Sequence, residues 1–426
     1  MMTALRTRPA RASTPRKPLT RPLSRRLAQP LGRSARLLAG ATPALALAMT
    51  LALGTALPAR AFDTSARAAF ILDQTTNTIL LAKDADTPIP PASMSKLMTL
   101  YVAFEAIRDG RLTLDERLPV STHAMNYGGS TMFLDTTDKV RVEDLLHGII
   151  VLSGNDACAV IAEALSPDGT EAGFARYMTQ RAQQLGMTSS TFTNSNGWPQ
   201  AGHMMSVRDL ALLAQHIITD FPEFYPLFAQ QRFEFDGRAP QNVHNRNPLL
   251  GMGIGADGLK TGHTEEAGYG LVGSAKQGDR RVIFVLSGMD STRTRAEEAR
   301  SVVNWAFRQF AEAEIATAGT EIARADVWMG AQPSVGLTVA QDQKALLPVL
   351  NAESVPAEVV YNGPIRAPIK AGDQIAQLIL KPEGLPEKSL PLVAMSDVTT
   401  GGFGVRLRTA STKLIKQLRD GPEGGF

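Results

Sequence analysis

Ser93-Met94-Ser95-Lys96 sets a hydroxyl and an amine three residues apart at the start of an apolar run. A serine hydroxyl is a weak nucleophile at its own pKa and needs a base within hydrogen-bond reach. On a helix, positions i and i+3 share a face, so Lys96 would stand beside Ser93. Lysine serves as that base when burial and a neighbouring cation pull its pKa toward neutrality. Two further fragments follow in the order this chemistry requires, Ser153-Gly154-Asn155 and Lys260-Thr261-Gly262. In this reading Lys260 is the second cation, Ser153 a proton relay bridging the lysines, and Asn155 a donor to a substrate amide carbonyl. The developing oxyanion needs two preorganised N–H donors, for which the backbones of Ser93 and His263 are the candidates. Gly262 would allow close backbone approach, where an extended substrate can pair along a sheet edge. The chemistry indicated is acyl transfer through a serine nucleophile.

The elements around these fragments must bring them together. Two apolar runs between Ala68 and Leu81 flank Asp73-Gln74-Thr75-Thr76-Asn77 and read as a hairpin. Pro88-Ile89-Pro90-Pro91 breaks the chain before a helix from Met94 to Ile107, ended by Asp109-Gly110. Helical spacing returns from Leu145 to Leu165, interrupted by Ser153-Gly154-Asn155, and again from Asp209 to Ile218. Tyr269–Ala275 and Arg281–Leu286 read as adjacent strands, followed by a helix from Ala296 to Phe310. Helices in the middle with strands at both ends predict an α+β domain whose sheet joins distant segments. After about Ala318, short apolar runs punctuated by Pro and Gly predict a small all-β domain. Asp73 and Asp257 sit at turns, where carboxylates commonly satisfy local backbone groups.

Composition narrows the setting. Of 426 residues, 44% are hydrophobic and 20% charged, which suits a globular chain with a sizeable core. Residues 1–61 hold eleven Lys or Arg and no acid, so subtracting them from the formal +3 leaves −8 on the remainder. The folded part therefore offers no charge-based case for nucleic acid. The Arg-rich start, the apolar run Leu37–Leu57 and Ala59-Arg60-Ala61 read as an export signal, with an uncleaved membrane anchor as the competing reading. The single cysteine, Cys158, excludes an intramolecular disulfide and reads as a small buried hydrophobe. None of the six histidines forms an HxxxH pair or a Cys cluster, which disfavours zinc; no metal or cofactor is expected. From Val405 to Arg419, aliphatic residues share a face ringed by Lys and Arg. That stretch is either a helix lying on an anionic membrane surface or a terminal helix packed on the β domain.

Taken together, Ser-x-x-Lys, Ser-x-Asn and Lys-Thr-Gly form the signature of penicillin-interacting serine enzymes. The chain resembles the low-molecular-weight penicillin-binding proteins, the D-alanyl-D-alanine carboxypeptidases. The likeness extends to Gly128-Gly129-Ser130-Thr131-Met132, Asn196-Gly197-Trp198, Ser206-Val207-Arg208-Asp209-Leu210 and the run from Asp257 to Thr264. It implies an α+β penicillin-binding, β-lactamase-like domain over 62–317 and a β-sandwich-like domain over 318–402. Residues 1–61 would be the signal and 403–426 a basic amphipathic tail. It further implies removal of the terminal D-alanine from peptidoglycan stem peptides through an acyl-enzyme on Ser93, in peptidoglycan remodelling and cell shape. Thr261, Gly262, Thr264 and Arg208 would bind substrate, Arg208 and Thr264 holding its terminal carboxylate. β-Lactam antibiotics would acylate the same serine, and the enzyme would be exported to the periplasm, peripheral to the cytoplasmic membrane. A class A-type β-lactamase is disfavoured because no Glu-x-x-Leu-Asn stretch lies between Ser153 and Lys260. A non-catalytic peptidoglycan-binding module would have no need of an intact nucleophile and two lysines. The nearest rival is a DD-endopeptidase that cuts crosslinks.

Overall fold

The computed structural model describes residues 62–238, 240–350, 355–405, 407 and 411. The export-signal reading and most of the basic-tail reading fall outside these residues.

The chain opens with a hairpin of β1 (Ala68–Asp73) and β2 (Thr78–Lys83) and then enters a helical region. That region contains α1 (Lys96–Arg108), β3 (Arg117–Pro119), α2 (Thr122–Met125), β4 (Lys139–Arg141), α3 (Val142–His147), α4 (Asn155–Leu165), α5 (Glu171–Gln184) and α6 (Val207–Asp220). Three long strands follow, β5 (Ala256–Thr264), β6 (Gly268–Gln277) and β7 (Arg280–Met289), and then α7 (Thr292–Gln309). The five strands form one antiparallel sheet in the order β2-β1-β7-β6-β5, so the first hairpin pairs with the last strand of the domain. Lys260-Thr261-Gly262 lies within β5, on the sheet edge.

The sheet is buried on both faces, and strand alternation sorts its side chains between two cores. Phe70, Leu72, Ile283 and Val285 face the helices, whereas Ile71, Val282, Phe284 and Leu286 face α7 through Val302, Val303 and Ala306. α1 is buried from Lys96 to Ala106, the pattern of a helix enclosed on all sides. Its one buried acid, Glu105, is matched by Arg181 at 2.7 Å. Asp73 accepts from the Thr76 N–H as its turn position predicts, but its second oxygen pairs with Arg280, which also binds the carbonyls of Ala306 and Phe310. Asp257, expected at a turn, lies instead within β5, where its carboxylate pairs with Arg281 at 2.8 Å and accepts from the Tyr225 hydroxyl. These two pairs tie the sheet to α7 and to the segment before β5.

The β-rich part begins directly after α7 with β8 (Phe310–Ala316), β9 (Ala323–Trp328), β10 (Ser334–Thr338), β11 (Gln343–Pro348), β12 (Ala357–Val360), β13 (Ile365–Arg366), β14 (Gln374–Leu380) and β15 (Lys388–Ala394). β8 pairs with β11, and the other six form a second sheet in the order β12-β14-β15-β10-β9-β13. Leu337, Leu378, Leu390 and Leu392 fill a separate core, so this part is all-β. β8 escaped sequence reading because its Ala-Glu-Ala-Glu alternation carries little apolar weight. Among the described residues no helix is long and apolar enough to cross a membrane.

Candidate active site

Pro91 ends the incoming strand-like segment, and the chain turns through Ala92, held at φ 49, into a single 3-10 turn over Ala92–Ser95. Residues three apart are eclipsed in such a turn. Ser93 therefore sits above Lys96, the first residue of α1, and the Lys96 Nζ donates to Ser93 Oγ at 2.9 Å. Ser93 is half-buried and Lys96 fully buried. The amine donates as well to Asn155 Oδ1 at 2.7 Å and to the Asn196 carbonyl at 2.5 Å. Its three protons are thus directed at the nucleophile, the second motif and the segment around Asn196.

The second motif is built by interrupting a helix. α3 passes into a π turn over Gly148–Leu152, and Ser153 closes it in the left-handed region at φ 64 and ψ 37. A non-glycine residue there stores strain of order 1–3 kcal/mol and persists only where neighbours hold it. Here Gly154 N–H bonds the Gly148 carbonyl at 3.0 Å and Asn155 N–H the Ser130 carbonyl at 2.7 Å. The kink aims Ser153 at Lys260, whose Nζ donates to Ser153 Oγ at 3.0 Å. Asn155 Nδ2 donates to the Gly128 carbonyl at 2.8 Å, leaving its second N–H for a substrate. The predicted bridge is realised on one side only. Ser153 bonds Lys260, and the position beside Lys96 is taken by Asn155 Oδ1.

Lys260, Thr261, Gly262, His263 and Thr264 follow one another on the edge strand β5. A Cβ at Gly262 would meet the Pro91 carbonyl and Met94 at 3.0 Å, so the close approach this glycine permits is to the turn carrying Ser93. The His263 ring stacks on Tyr269 at 3.9 Å. Ser93, Asn155 and residues 261–264 share a cleft of about 510 Å³ with Trp198, Arg246 and Arg295.

Burial sets the electrostatics. The Lys96 amine is pulled from 10.5 to about 8, chiefly by desolvation, with Arg246 as the added cation. That corresponds to roughly 3 kcal/mol of bias toward the neutral base. Lys260 is lowered well below its ordinary value by burial, then by Arg246 and Lys96. Lys96 thus lowers Lys260, but the cation that lowers Lys96 is Arg246 and not Lys260 as expected. Beneath them the Cys158 thiol is fully buried and pushed up to about 12, which fits a small hydrophobe.

Arg208 does not join this site. It is the second residue of α6 after the Ser206 cap, its N–H bonds the Ala85 carbonyl, and its guanidinium forms a bidentate pair with Asp86 at 2.6 and 2.9 Å. The same guanidinium lies 4.7 Å over the Phe70 ring. It is a structural ion pair outside the cleft, and the expectation that it holds a carboxylate is corrected. Arg246 and Arg295 occupy the cleft instead. Arg246 donates to Ser130 Oγ at 3.0 Å and to the Leu152 carbonyl. Arg295 is lowered to about 10, by burial first and by Arg246 second, and its buried Nε has no partner. The buried Arg295 guanidinium and the more exposed Arg246 guanidinium beside it repel one another and form a site an anion would relieve. Sequence reading missed both. Arg246 lies in an aperiodic stretch with no signal, whereas Arg295 shares a helical face with the buried Ala299, Val302, Val303 and Ala306, which marked it as inward-facing.

Comparison with known proteins agrees with this geometry. The family described as D-alanyl-D-alanine carboxypeptidase matches residues 55–291, and the C-terminal domain of penicillin-binding protein 5 matches residues 310–400. D-alanyl-D-alanine carboxypeptidase DacC of Escherichia coli is 33% identical over 347 residues, which is 79% of this chain and 85% of that protein. Penicillin-binding protein 5 of Haemophilus influenzae superposes with a TM-score of 0.64 at 32% identity, over 79% of this chain and 98% of that one. Penicillin-binding protein D2 of Listeria monocytogenes in its ampicillin-bound form gives 0.52 at 31% identity, over 57% of this chain and 98% of that one. With nucleophile, lysines and sheet edge arranged in this way, and with this span of likeness in both domains, the chain belongs to the D-alanyl-D-alanine carboxypeptidase family of low-molecular-weight penicillin-binding proteins.

Proposed function

We propose that this protein is a serine D-Ala-D-Ala carboxypeptidase that removes the terminal D-alanine from peptidoglycan stem pentapeptides through an acyl-enzyme on Ser93. The observation that carries the reading is the pairing of Ser93 with Lys96, and of Ser153 with Lys260, beside one cleft lined by Ser93, Asn155, Arg246 and Arg295. Neutral Lys96 takes the Ser93 proton as Oγ attacks the carbonyl carbon of the penultimate residue. The backbone N–H groups of Ser93 and His263 receive the oxyanion, and Asn155 binds the amide carbonyl preceding the scissile bond. The proton now on Lys96 passes to the departing D-alanine amine through the Ser153 hydroxyl, which Lys260 holds, so Lys96 returns to its neutral form. The free carboxylate of that D-alanine lies against Arg246 and Arg295, with the Thr261 and Thr264 hydroxyls beside it. Water then attacks the ester carbonyl and regenerates Ser93. β-Lactams acylate the same serine, a reading supported by the ampicillin-bound form of the Listeria relative. Residues 1–61 export the enzyme to the periplasm, where it trims peptidoglycan and so bears on cell shape. The basic tail rests on the membrane surface.

The test is incubation of the protein with a fluorescent penicillin and mass spectrometry of the adduct, alongside D-alanine release from a pentapeptide and from crosslinked dimers. A label on Ser93 with release from the pentapeptide alone is expected. Absence of any covalent label would sink the mechanism, and cleavage of dimers without release from pentapeptide would make the enzyme an endopeptidase.

The rate of labelling should also depend on pH in a definite sense. Because the base must be neutral and Lys96 is lowered to about 8, the rate rises about tenfold from pH 6 to 7 and levels off above about pH 9. A profile flat from pH 6 to 9 would remove Lys96 from the role of base.

A further inference from the structure

Among the buried acids that the mechanism leaves unused is Glu171. Glu171 opens α5 directly after the Thr170 cap and is only 7% exposed. Its carboxylate accepts from the Ser195 N–H at 2.9 Å, the Ser195 hydroxyl, the Asn196 Nδ2 at 3.4 Å and the Tyr127 hydroxyl at 2.5 Å, and contacts His123 Nε2 at 2.7 Å. These partners come from two stretches that border the cleft. Asn196 is the residue whose carbonyl accepts from Lys96, and the Ser195 carbonyl accepts from Thr99, one turn further along α1. Tyr127 precedes Gly128, whose carbonyl holds the Asn155 amide. One carboxylate thus gathers the acceptors of the catalytic amine and of the asparagine beside it. Ser195, Asn196, Thr99 and Lys96 are all fully buried, so the link runs out of contact with water.

We propose that Glu171 is a positioning residue for acylation of Ser93, holding the Asn196 carbonyl against the Lys96 amine and tuning that amine through its negative charge. This rests on the acyl-enzyme reading above. Burial alone would raise the Glu171 pKa, but hydrogen bonds from Ser195, Tyr127 and His123 outweigh it and keep the carboxyl below its ordinary value. Glu171 is therefore an anion at working pH. The other groups that bear on Lys96 are accounted for. Cys158 on α4 is a neutral thiol, and Asp156 on the same helix is raised by burial while three backbone N–H groups bind its carboxylate. Arg246 opposes protonation, Lys260 is itself lowered, and His203 is held neutral at about 4. Glu171 is thus an anion that favours the charged amine, after Cys158 and Asp156, against burial and Arg246, which oppose it. It keeps the base from becoming too weak to accept the serine proton.

The experiment is the pH profile of Ser93 labelling by fluorescent penicillin for the wild type, Glu171→Gln, Glu171→Asp and Ser195→Ala, with a thermal melt of each. Glu171→Gln removes the charge and keeps the shape. Its rising limb should move about one unit toward lower pH, with a plateau about tenfold lower. Ser195→Ala removes a donor but keeps the charge, so its limb should stay at the wild-type position. Glu171→Asp keeps the charge but shortens the reach, and should slow labelling at least about fivefold with the limb in place. A merely structural Glu171 would lower the rate equally at every pH. A Glu171→Gln limb that superimposes on the wild type, or a Ser195→Ala limb that shifts with it, overturns the tuning role. If Glu171→Gln does not fold, wild-type labelling by Glu171→Asp overturns the positioning role. No labelling of the wild type at any pH would instead defeat the acyl-enzyme reading itself.

Discussion

Ser93→Ala is expected to lose penicillin labelling altogether and to lower D-alanine release by at least about 10⁴-fold, the scale seen when a covalent nucleophile is removed. The fold should survive. Ser93 is half-buried, and its hydroxyl gives up a single hydrogen bond from Lys96, worth about 1 kcal/mol. The melting temperature should therefore stay within a few degrees of wild type, so lost activity cannot be assigned to unfolding. Replacing Lys96 would be equally damaging but harder to read. Its removal strips the donor from Asn155 Oδ1 and the Asn196 carbonyl, both buried, and combines a chemical defect with a structural one. Ser93→Ala isolates the chemistry. Undiminished labelling in that variant would show that some other residue carries the acyl group.

The second large effect comes from a glycine outside the three motifs. Gly197 has φ +81, and a Cβ placed there would lie 1.9 Å from the Ala92 carbonyl oxygen and 2.7 Å from Ser95 Oγ. The obstacle is the backbone of the very turn that presents Ser93, which cannot swing aside like a flexible side chain. Left-handed strain of about 1–2 kcal/mol adds to overpacking of about 1–3 kcal/mol. Gly197→Ala should thus lower the melting temperature by at least about 5 °C and slow labelling of Ser93 more than tenfold through its displaced turn. Gly319→Ala supplies the control, since Gly319 has φ +79 but nothing within 4 Å of a Cβ. It should show the strain alone and full labelling. Equal effects from the two substitutions would mean that contact with the Ser93 turn is immaterial.

Much of the site could be read directly because its chemistry is local. Ser93 and Lys96 are one helical step apart, Ser153 and Asn155 flank a glycine, and residues 260–264 are contiguous, so each fragment is a unit whose spacing already restricts its geometry. Period-2 and period-3.6 patterns likewise marked the first hairpin, α1, α6 and the strand pair β6–β7, since each buries a face that residue type reveals. Ser153 was legible as a break but not as a left-handed residue at the end of a π turn, because that conformation depends on Gly154 and Asn155 finding their partners in Gly148 and Ser130.

Charged residues were less legible than apolar ones. Arg208 stands in a stretch typical of the family and still faces Asp86, while Arg246 and Arg295, 49 positions apart, meet in the cleft, where Arg295 Nη2 donates to the Arg246 carbonyl. Glu171 resembles any first-turn acid after a Thr cap, a common and usually exposed arrangement. Its five contacts exist only because the segments at 123–127 and 195–196 are folded over it.

By itself, then, the sequence determined the candidate nucleophile and base as a pair, the order of the motifs and the class of the two domains, because these rest on short-range spacing and on apolar periodicity. The tertiary structure alone decided which cations line the cleft, that Ser153 bonds Lys260 and Asn155 bonds Lys96, and that Glu171 binds the segment whose Asn196 carbonyl accepts from Lys96. Long polar side chains have no periodic signature. Where their charges come to rest depends on which buried partner the fold brings within about 3 Å, and that is settled only when distant segments close around them.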